Sequence, residues 1–289
     1  MKLNVAGLLF DISGELALPV QSAFAAYETG ADGADIRIRF SVKASLPAVP
    51  TDTVYGVKHG ISEYAKAADR YLLQDREDGL SYATITFSED FRTIDCELAD
   101  VSEIGGAPLA ERTQVALGQC VLNALPMFGG FTFHASCIDV CGHALMFSAP
   151  SGGGKSTQTA LWKRFYPASV RYINDDTPIL RKVGNDYHAF GSPWAGTSGI
   201  NENRHAKVRA LVYVKQGGTC SLRPMEEQEK MLCAMRSVRM QFFPEQRRRQ
   251  TALLFEFLRG VPAYELTCDI SRAAVETVKT EIFRDFCFT

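Results

Sequence analysis

The sequence has no CxxC pair. Its eight cysteines are scattered; Cys137 and Cys141 are four residues apart but have no companion ligands, which argues against a structural zinc site. Thiols used this way suit a reducing compartment, so a cytoplasmic protein is expected. No apolar run reaches the length of a membrane span. Residues 1–10 lack the basic start and small-residue cleavage pattern of a secretory signal. Positive charge is not in excess either. The formal net charge is −2, which argues against a nucleic-acid binder held by bulk electrostatics. The run Arg247-Arg248-Arg249 reads as a solvated helix face. Internal repeats and low-complexity tracts are also missing. The expected partners therefore include neither nucleic acid nor membrane, while self-association into a homo-oligomer stays open. A hydrophobic content of 46% with 22% charged residues is that of a globular chain. Its 289 residues suffice for one large domain or two modest ones.

What is present centres on Ser148-Ala149-Pro150-Ser151-Gly152-Gly153-Gly154-Lys155-Ser156-Thr157. The apolar run Ala144-Leu145-Met146-Phe147 before it reads as a buried strand, and residues 158–165 after it read as a helix. Strand, glycine-rich loop, Lys-Ser/Thr and helix is the context of a phosphate-binding P-loop. Glycines let the loop turn its backbone N–H groups inward, and the helix N-terminus adds further donors for anionic oxygens. Ser151, Gly152, Gly153, Gly154, Lys155, Ser156 and Thr157 are thus expected to bind a nucleoside triphosphate, taken as ATP. Lys155 would reach the β- and γ-phosphates, and the Ser156 hydroxyl would ligate Mg²⁺. The pattern asks for glycine at position 149, where this chain has Ala149; the loop tolerates alanine if φ there is negative.

Upstream, the chain reads as β-rich. Residues 3–11 are expected to form one apolar strand. Residues 34–42 alternate through Ile36, Ile38 and Phe40, and short strands follow near 71–73, 82–87 and 93–98. The breaker cluster Glu103-Ile104-Gly105-Gly106-Ala107-Pro108 marks the expected domain boundary, giving a smaller β-rich region over 1–105 and a P-loop domain over 106–289. In the second region an amphipathic helix spans 109–125. Strands follow at 131–140 and 143–147, joined by Cys141-Gly142 in a two-residue turn. Further strands and helices alternate to the C-terminus. The fold class expected is α/β, with hairpins that make its sheet mixed.

The residues around the loop bear on reaction type. Asp175 and Asp176 follow Lys155 by about twenty positions, at the end of the strand 170–174. That end of an open α/β sheet faces the ligand crevice. One carboxylate there can hold a metal while the other accepts a proton from an attacking hydroxyl. His134, in Phe133-His134-Ala135-Ser136, lies a similar distance before Lys155. Its residue type alone suits either a core position or a site; near the γ-phosphate end it could hold a metal or hydrogen-bond to Asp175.

Taken together, FHAS, SAPSGGGKST and INDD resemble the nucleotide-binding region shared by HPr kinase/phosphorylase and phosphoenolpyruvate carboxykinase. The likeness covers roughly residues 131–214. It implies a carboxykinase/HPr kinase-like domain, with His134 a metal ligand or a group tied to catalysis. It makes Asp175 the base and Asp176 a metal ligand, the two roles being exchangeable. The segment from Gly191 to Arg204, GSPWAGTSGINENR, is similar to segments of uncharacterised members of that superfamily; there Arg204 would meet transferred phosphate. The implied reaction is phosphoryl transfer from ATP, with Mg²⁺, to a serine-like hydroxyl of a small molecule, peptide or protein. The alternatives are a nucleotide-binding regulatory module without catalysis and a carboxykinase-related metabolic enzyme.

Overall fold

The protein is described from a computed structural model covering residues 1–16, 24–46, 55–59, 62–66, 70–77, 80–100, 103–104, 107–241 and 243–288. It is an α/β chain with mixed sheets, divided into two compact units. One comprises Met1–Phe128 with Met240–Gln250, the other Gly129–Arg239 with Thr251–Thr289.

The first unit is built on one sheet. Its strands are β1 (Lys2–Val5), β2 (Leu8–Gly14), β3 (Ile36–Lys43), β4 (Tyr55–His59), β5 (Ser62–Lys66), β6 (Arg70–Glu77), β7 (Leu80–Ser88) and β8 (Thr93–Ala99). Their order is β1-β2-β3-β8-β7-β6-β5-β4. The β2–β3 and β3–β8 pairs are parallel, and the run from β8 to β4 is an antiparallel meander. Alternation buries Ile36, Ile38 and Phe40 on one face, as their spacing predicts. The single strand expected over 3–11 is instead the β1–β2 hairpin. Ala6 and Gly7, both at positive φ (55° and 72°), form its two-residue turn. An alanine at the first of those positions hides the turn from sequence patterning.

A short hairpin, β9 (Glu103–Ile104) with β10 (Ala107–Pro108), leads into α1 (Leu109–Ala124). Gly105 and Gly106 of the expected boundary lie outside the described residues. The division between units falls after α1, at Phe128, and not at 105/106. The reason is packing: α1 lies on β7 and β8 and buries Ala116, Leu117, Cys120 and Val121. The 240–250 segment joins this unit through Phe243, whose ring lies 4.9 Å from that of Tyr71, and through hydrogen bonds from Gln241 and Gln246 to the Leu122 and Asn123 carbonyls.

The second unit holds a nine-stranded sheet among the described residues. Its strands are β11 (Gly130–Thr132), β12 (Ser136–Val140), β13 (His143–Ser148), β14 (Val170–Asn174), β15 (Ile179–Val183), β16 (Asp186–Phe190), β17 (His205–Gln216), β18 (Ser221–Pro224) and β19 (Ala263–Cys268). Its helices are α2 (Lys155–Phe165), α3 (Glu227–Ser237), the part of α4 (Pro244–Gly260) beyond Gln250, and α5 (Arg272–Ile282). The main path runs β11-β15-β16-β17-β13-β12-β14, with β19 on β17 and β18 on β19. One face buries Ile138, Val140, Leu145, Phe147, Val212 and Leu266 against Trp162 of α2 and Val275 and Val278 of α5. On α4, Phe257 packs against the rings of Phe131, Phe133 and Tyr187.

Candidate active site

Strand directions decide which residues can meet. β13 is parallel to β17, and β17 is parallel to β19. β12 is antiparallel to both β13 and β14, so β13 and β14 also point the same way. The C-terminal ends of β13, β14, β17 and β19 therefore share one edge of the sheet, and β12 starts there. The glycine-rich loop leaves β13 at that edge, the aspartates follow β14, and His134 precedes β12. In open α/β sheets ligands bind at this edge.

The loop passes from Ser148 into α2 through Gly154, whose φ of 99° only glycine adopts without strain; no side chain caps the first turn of the helix. The helix therefore presents its first backbone N–H groups, the partly positive end of its dipole, to the loop. Ala149 does not have a positive φ, so alanine costs this loop no backbone strain. Ser151, Gly152, Ser156 and Thr157 are exposed, Gly153 and Gly154 partly so. The Lys155 side chain is buried, and its Nζ donates to the Ala149 carbonyl at 3.1 Å and the Pro150 carbonyl at 3.5 Å. Burial holds the Lys155 ammonium below the ordinary lysine range, and the charges of Asp176 and Asp175 pull in the opposite direction.

A hydrogen-bonded chain ties this helix to the aspartates. The hydroxyls of Thr159, on α2, and Ser136, on β12, are 2.8 Å apart. The Ser136 hydroxyl donates to Oδ1 of Asp175. Asp175 is 7% exposed, and one of its oxygens is held by this hydrogen bond. Asn174 shapes the turn that follows: its Oδ1 accepts from the Asp176 and Thr177 N–H groups at 2.9 and 2.6 Å, and its amide donates to the Ser192 carbonyl at 2.9 Å. This Asx-type turn aims Asp175 and Asp176 in different directions.

His134 does not sit within a strand. The strand expected over 131–140 is broken, β11 pairing with β15 and β12 with β13 and β14. At the break the His134 N–H donates to the Ser237 carbonyl (2.7 Å) and the Ala135 N–H to the Asp176 carbonyl (3.1 Å). The backbone thus finds partners outside the ladder and carries the imidazole to the surface, 46% exposed. Its Nδ1 lies 3.5 Å from Oδ1 of Asp176; the contact expected with Asp175 is not formed. The two-residue turn at Cys141-Gly142 is present, both residues having positive φ, 52° and 86°.

Arg204 is not brought to this cluster. Its guanidinium pairs with Asp139 at 3.1 Å and Glu202 at 2.8 Å. Asp139 is three residues along β12 from Ser136 and so projects from its opposite face.

Several contributors carry no distinctive sequence signal. Ser136 and Thr159 look like ordinary small polar residues. Gly196, with φ 57°, lets the 191–204 segment approach Asp176; a Cβ there would stand 2.9 Å from the Asp176 Cγ. A cavity of about 380 Å³ adjoins the loop, lined by Gly152, Gly153, Gly154, Thr157, Gln158, Val214, Gln216, Gly217, Cys268, Asp269 and Ile270. No helix among the described residues is long and apolar enough to cross a membrane.

No protein-family model matches the chain, and no curated protein matches it. Among solved structures it is similar to the HPr(Ser) kinase/phosphatase from Coxiella burnetii, at 13% identity over 53% of this chain and 88% of that one, with a TM-score of 0.32. This is a distant structural relation.

Proposed function

We propose that the chain transfers the γ-phosphoryl group of ATP to a hydroxyl of an acceptor molecule. The observation that carries this reading is the hydrogen-bonded chain Thr159–Ser136–Asp175, which joins the helix of the glycine-rich loop to a buried carboxylate. In this reading Gly152, Gly153, Gly154 and the N-terminus of α2 cradle the phosphates, and Ser151 and Thr157 border them. Lys155 leaves the loop carbonyls and pairs with phosphate oxygens. The adjoining cavity has room for the nucleoside.

Asp175 is the proton acceptor. Ser136 holds Oδ1, so Oδ2 is the atom that takes the proton from the attacking hydroxyl. The freed alkoxide oxygen then forms its bond to the phosphorus, and the bond to the ADP leaving oxygen breaks. Asp176 and Ser156 present a carboxylate and a hydroxyl, both hard oxygen donors. Such a pair suits Mg²⁺, which takes few protein ligands and completes its shell with water and phosphate oxygens. Bound Mg²⁺ would offset charge on the phosphates. His134 orients Asp176 through Nδ1. Arg204 serves the transferred phosphate only if it exchanges Asp139 and Glu202 for it.

A second reading, nucleotide binding without transfer, is favoured by the burial of Asp175, which limits an acceptor's approach. The test is incubation with γ-labelled ATP, Mg²⁺ and fractionated cell extract, with Lys155→Ala as control. Label on a hydroxyl-bearing acceptor, absent with the control, supports transfer. ATP binding with no label in any fraction would leave the binding module standing.

A further inference from the structure

After β17 the chain passes the C-terminal end of β19 and returns along its other edge as β18. The β18–β19 register is antiparallel, with Leu222 opposite Leu266 and Ser221 opposite Thr267. One more step sets Cys220 opposite Cys268. Two further observations fit this pairing. The Gly217 N–H donates to the Cys268 carbonyl at 2.9 Å, so the backbone groups of Cys268 face β17. Toward β18 it occupies a non-hydrogen-bonded position, where facing Cα atoms come within about 4.5 Å and side chains are closest. Cys220 and Cys268 also join the same apolar cluster as Leu222 and Leu266, so both side chains project toward α2 and α5. A disulfide spans Cα separations of about 4.4–6.8 Å, a range that includes such a pair.

Both are free thiols held by separate partners. Gln158 Nε2 donates to Cys268 Sγ at 3.1 Å, and Cys220 Sγ donates to Asp269 Oδ1 at 3.4 Å. Cys268, Asp269 and Gln158 line the cavity beside the glycine-rich loop.

We propose that Cys220 and Cys268 are a redox-active pair, which a low-molecular-weight disulfide oxidises to a cross-strand disulfide in the wall of that cavity. The Cys220 thiolate attacks one sulfur of the oxidant, expelling a thiolate and leaving a mixed disulfide. The Cys268 thiolate then attacks the Cys220 sulfur and expels the second thiolate. The two protein thiols give up their protons and two electrons, and the oxidant is reduced to two thiols. Cys220 is the partly exposed member and attacks first; Cys268 is buried. Burial, with the Cys220 and Asp269 charges, pushes the Cys268 thiol up to about 11. Ring closure therefore accelerates as pH rises and the Cys268 thiolate fraction grows. The pairing does not rest on the phosphoryl-transfer reading.

The test uses the full reduced chain, oxidised glutathione as probe, alkylation of the remaining thiols, and non-reducing peptide mapping. The expected product is a Cys220–Cys268 linked peptide, formed before any other cysteine pair and removed by dithiothreitol. Cys268→Ser should stop at glutathione on Cys220, and Cys220→Ser should leave Cys268 unmodified. Glutathione retained on wild-type Cys220 without the linked peptide would overturn the proposal, as would linkages spread over unrelated cysteines. The wild-type arm decides even if a variant folds poorly. No nucleotide enters the assay, so its outcome and that of the labelling experiment are separate.

Discussion

His134 Nδ1 lies 3.5 Å from Asp176 Oδ1, while the adjacent Asp175 turns away to accept the Ser136 hydroxyl. The two carboxylates are thus divided between two supports, one exposed and one buried. Because the imidazole is nearly half exposed, His134→Gln should change stability by no more than the roughly ±0.5 kcal/mol usual for surface changes, leaving the melting temperature close to wild type. Transfer should fall on the order of 10²-fold. Melting curves and label transfer on the same preparation test this. A destabilised variant with unchanged turnover per folded molecule would make His134 structural.

The two aspartates should separate kinetically. Asp175→Asn keeps the shape and still accepts the Ser136 hydroxyl, but has no carboxylate to take the proton. ATP binding should persist while transfer drops by about 10²–10⁴-fold. Asp176→Asn should instead raise the Mg²⁺ concentration required. If Asp176→Asn abolishes transfer at saturating Mg²⁺ while Asp175→Asn turns over, the roles are exchanged.

Lys155 gives a pH signature. Burial lowers its folded pKa, so in the free protein it loses its proton below the usual 10.5. A phosphate beside it favours the charged form and raises the pKa again. At pH values under the depressed pKa, lysine is charged both free and bound, and affinity is flat. Above it, binding takes up a proton, and affinity falls as pH rises. Calorimetry in two buffers of different ionisation enthalpy should show proton uptake on the alkaline side, absent in Lys155→Arg. Lys155→Ala should lose about tenfold or more in affinity, the scale of a charge-assisted hydrogen bond. Equal binding by wild type and Lys155→Ala would remove the lysine from the site.

Gly196→Ala places a methyl group 2.9 Å from the Asp176 Cγ, on a backbone at φ 57°. The left-handed conformation alone costs an L-residue about 1–2 kcal/mol. The variant should fold with a lowered melting temperature and need more Mg²⁺ for half-maximal transfer. A melting shift with an unaltered Mg²⁺ requirement would confine Gly196 to folding.

The sequence shows local patterns more readily than the contacts that assemble the site. The run from Ala144 to Phe165 carries its own strand, turn and helix signals, and the aspartates close an alternating strand. The break at His134 depends on partners about 40 and 100 positions away, Asp176 and Ser237, so no local period reports it. Ser136 and Thr159 gain their roles from the β12–β14 register and the seating of α2. Arg204 is a charged residue in a suggestive segment, and only the fold shows that Asp139 meets it. The division between the units is hidden from the sequence for a related reason. Glycine and proline mark where the chain turns, whereas the division between units depends on where the buried face of α1 finds its sheet.

The resting position of Lys155 has a consequence for ligand choice. Its ammonium already has two acceptors, the Ala149 and Pro150 carbonyls, so the loop contains its own competitor for the lysine. A ligand must replace that internal arrangement as well as fit beside it. A single weakly charged oxygen offers little more than a carbonyl does. In the phosphoryl-transfer reading a polyphosphate would offer several full charges in place of those carbonyls, which would favour long anions before any base or sugar is recognised.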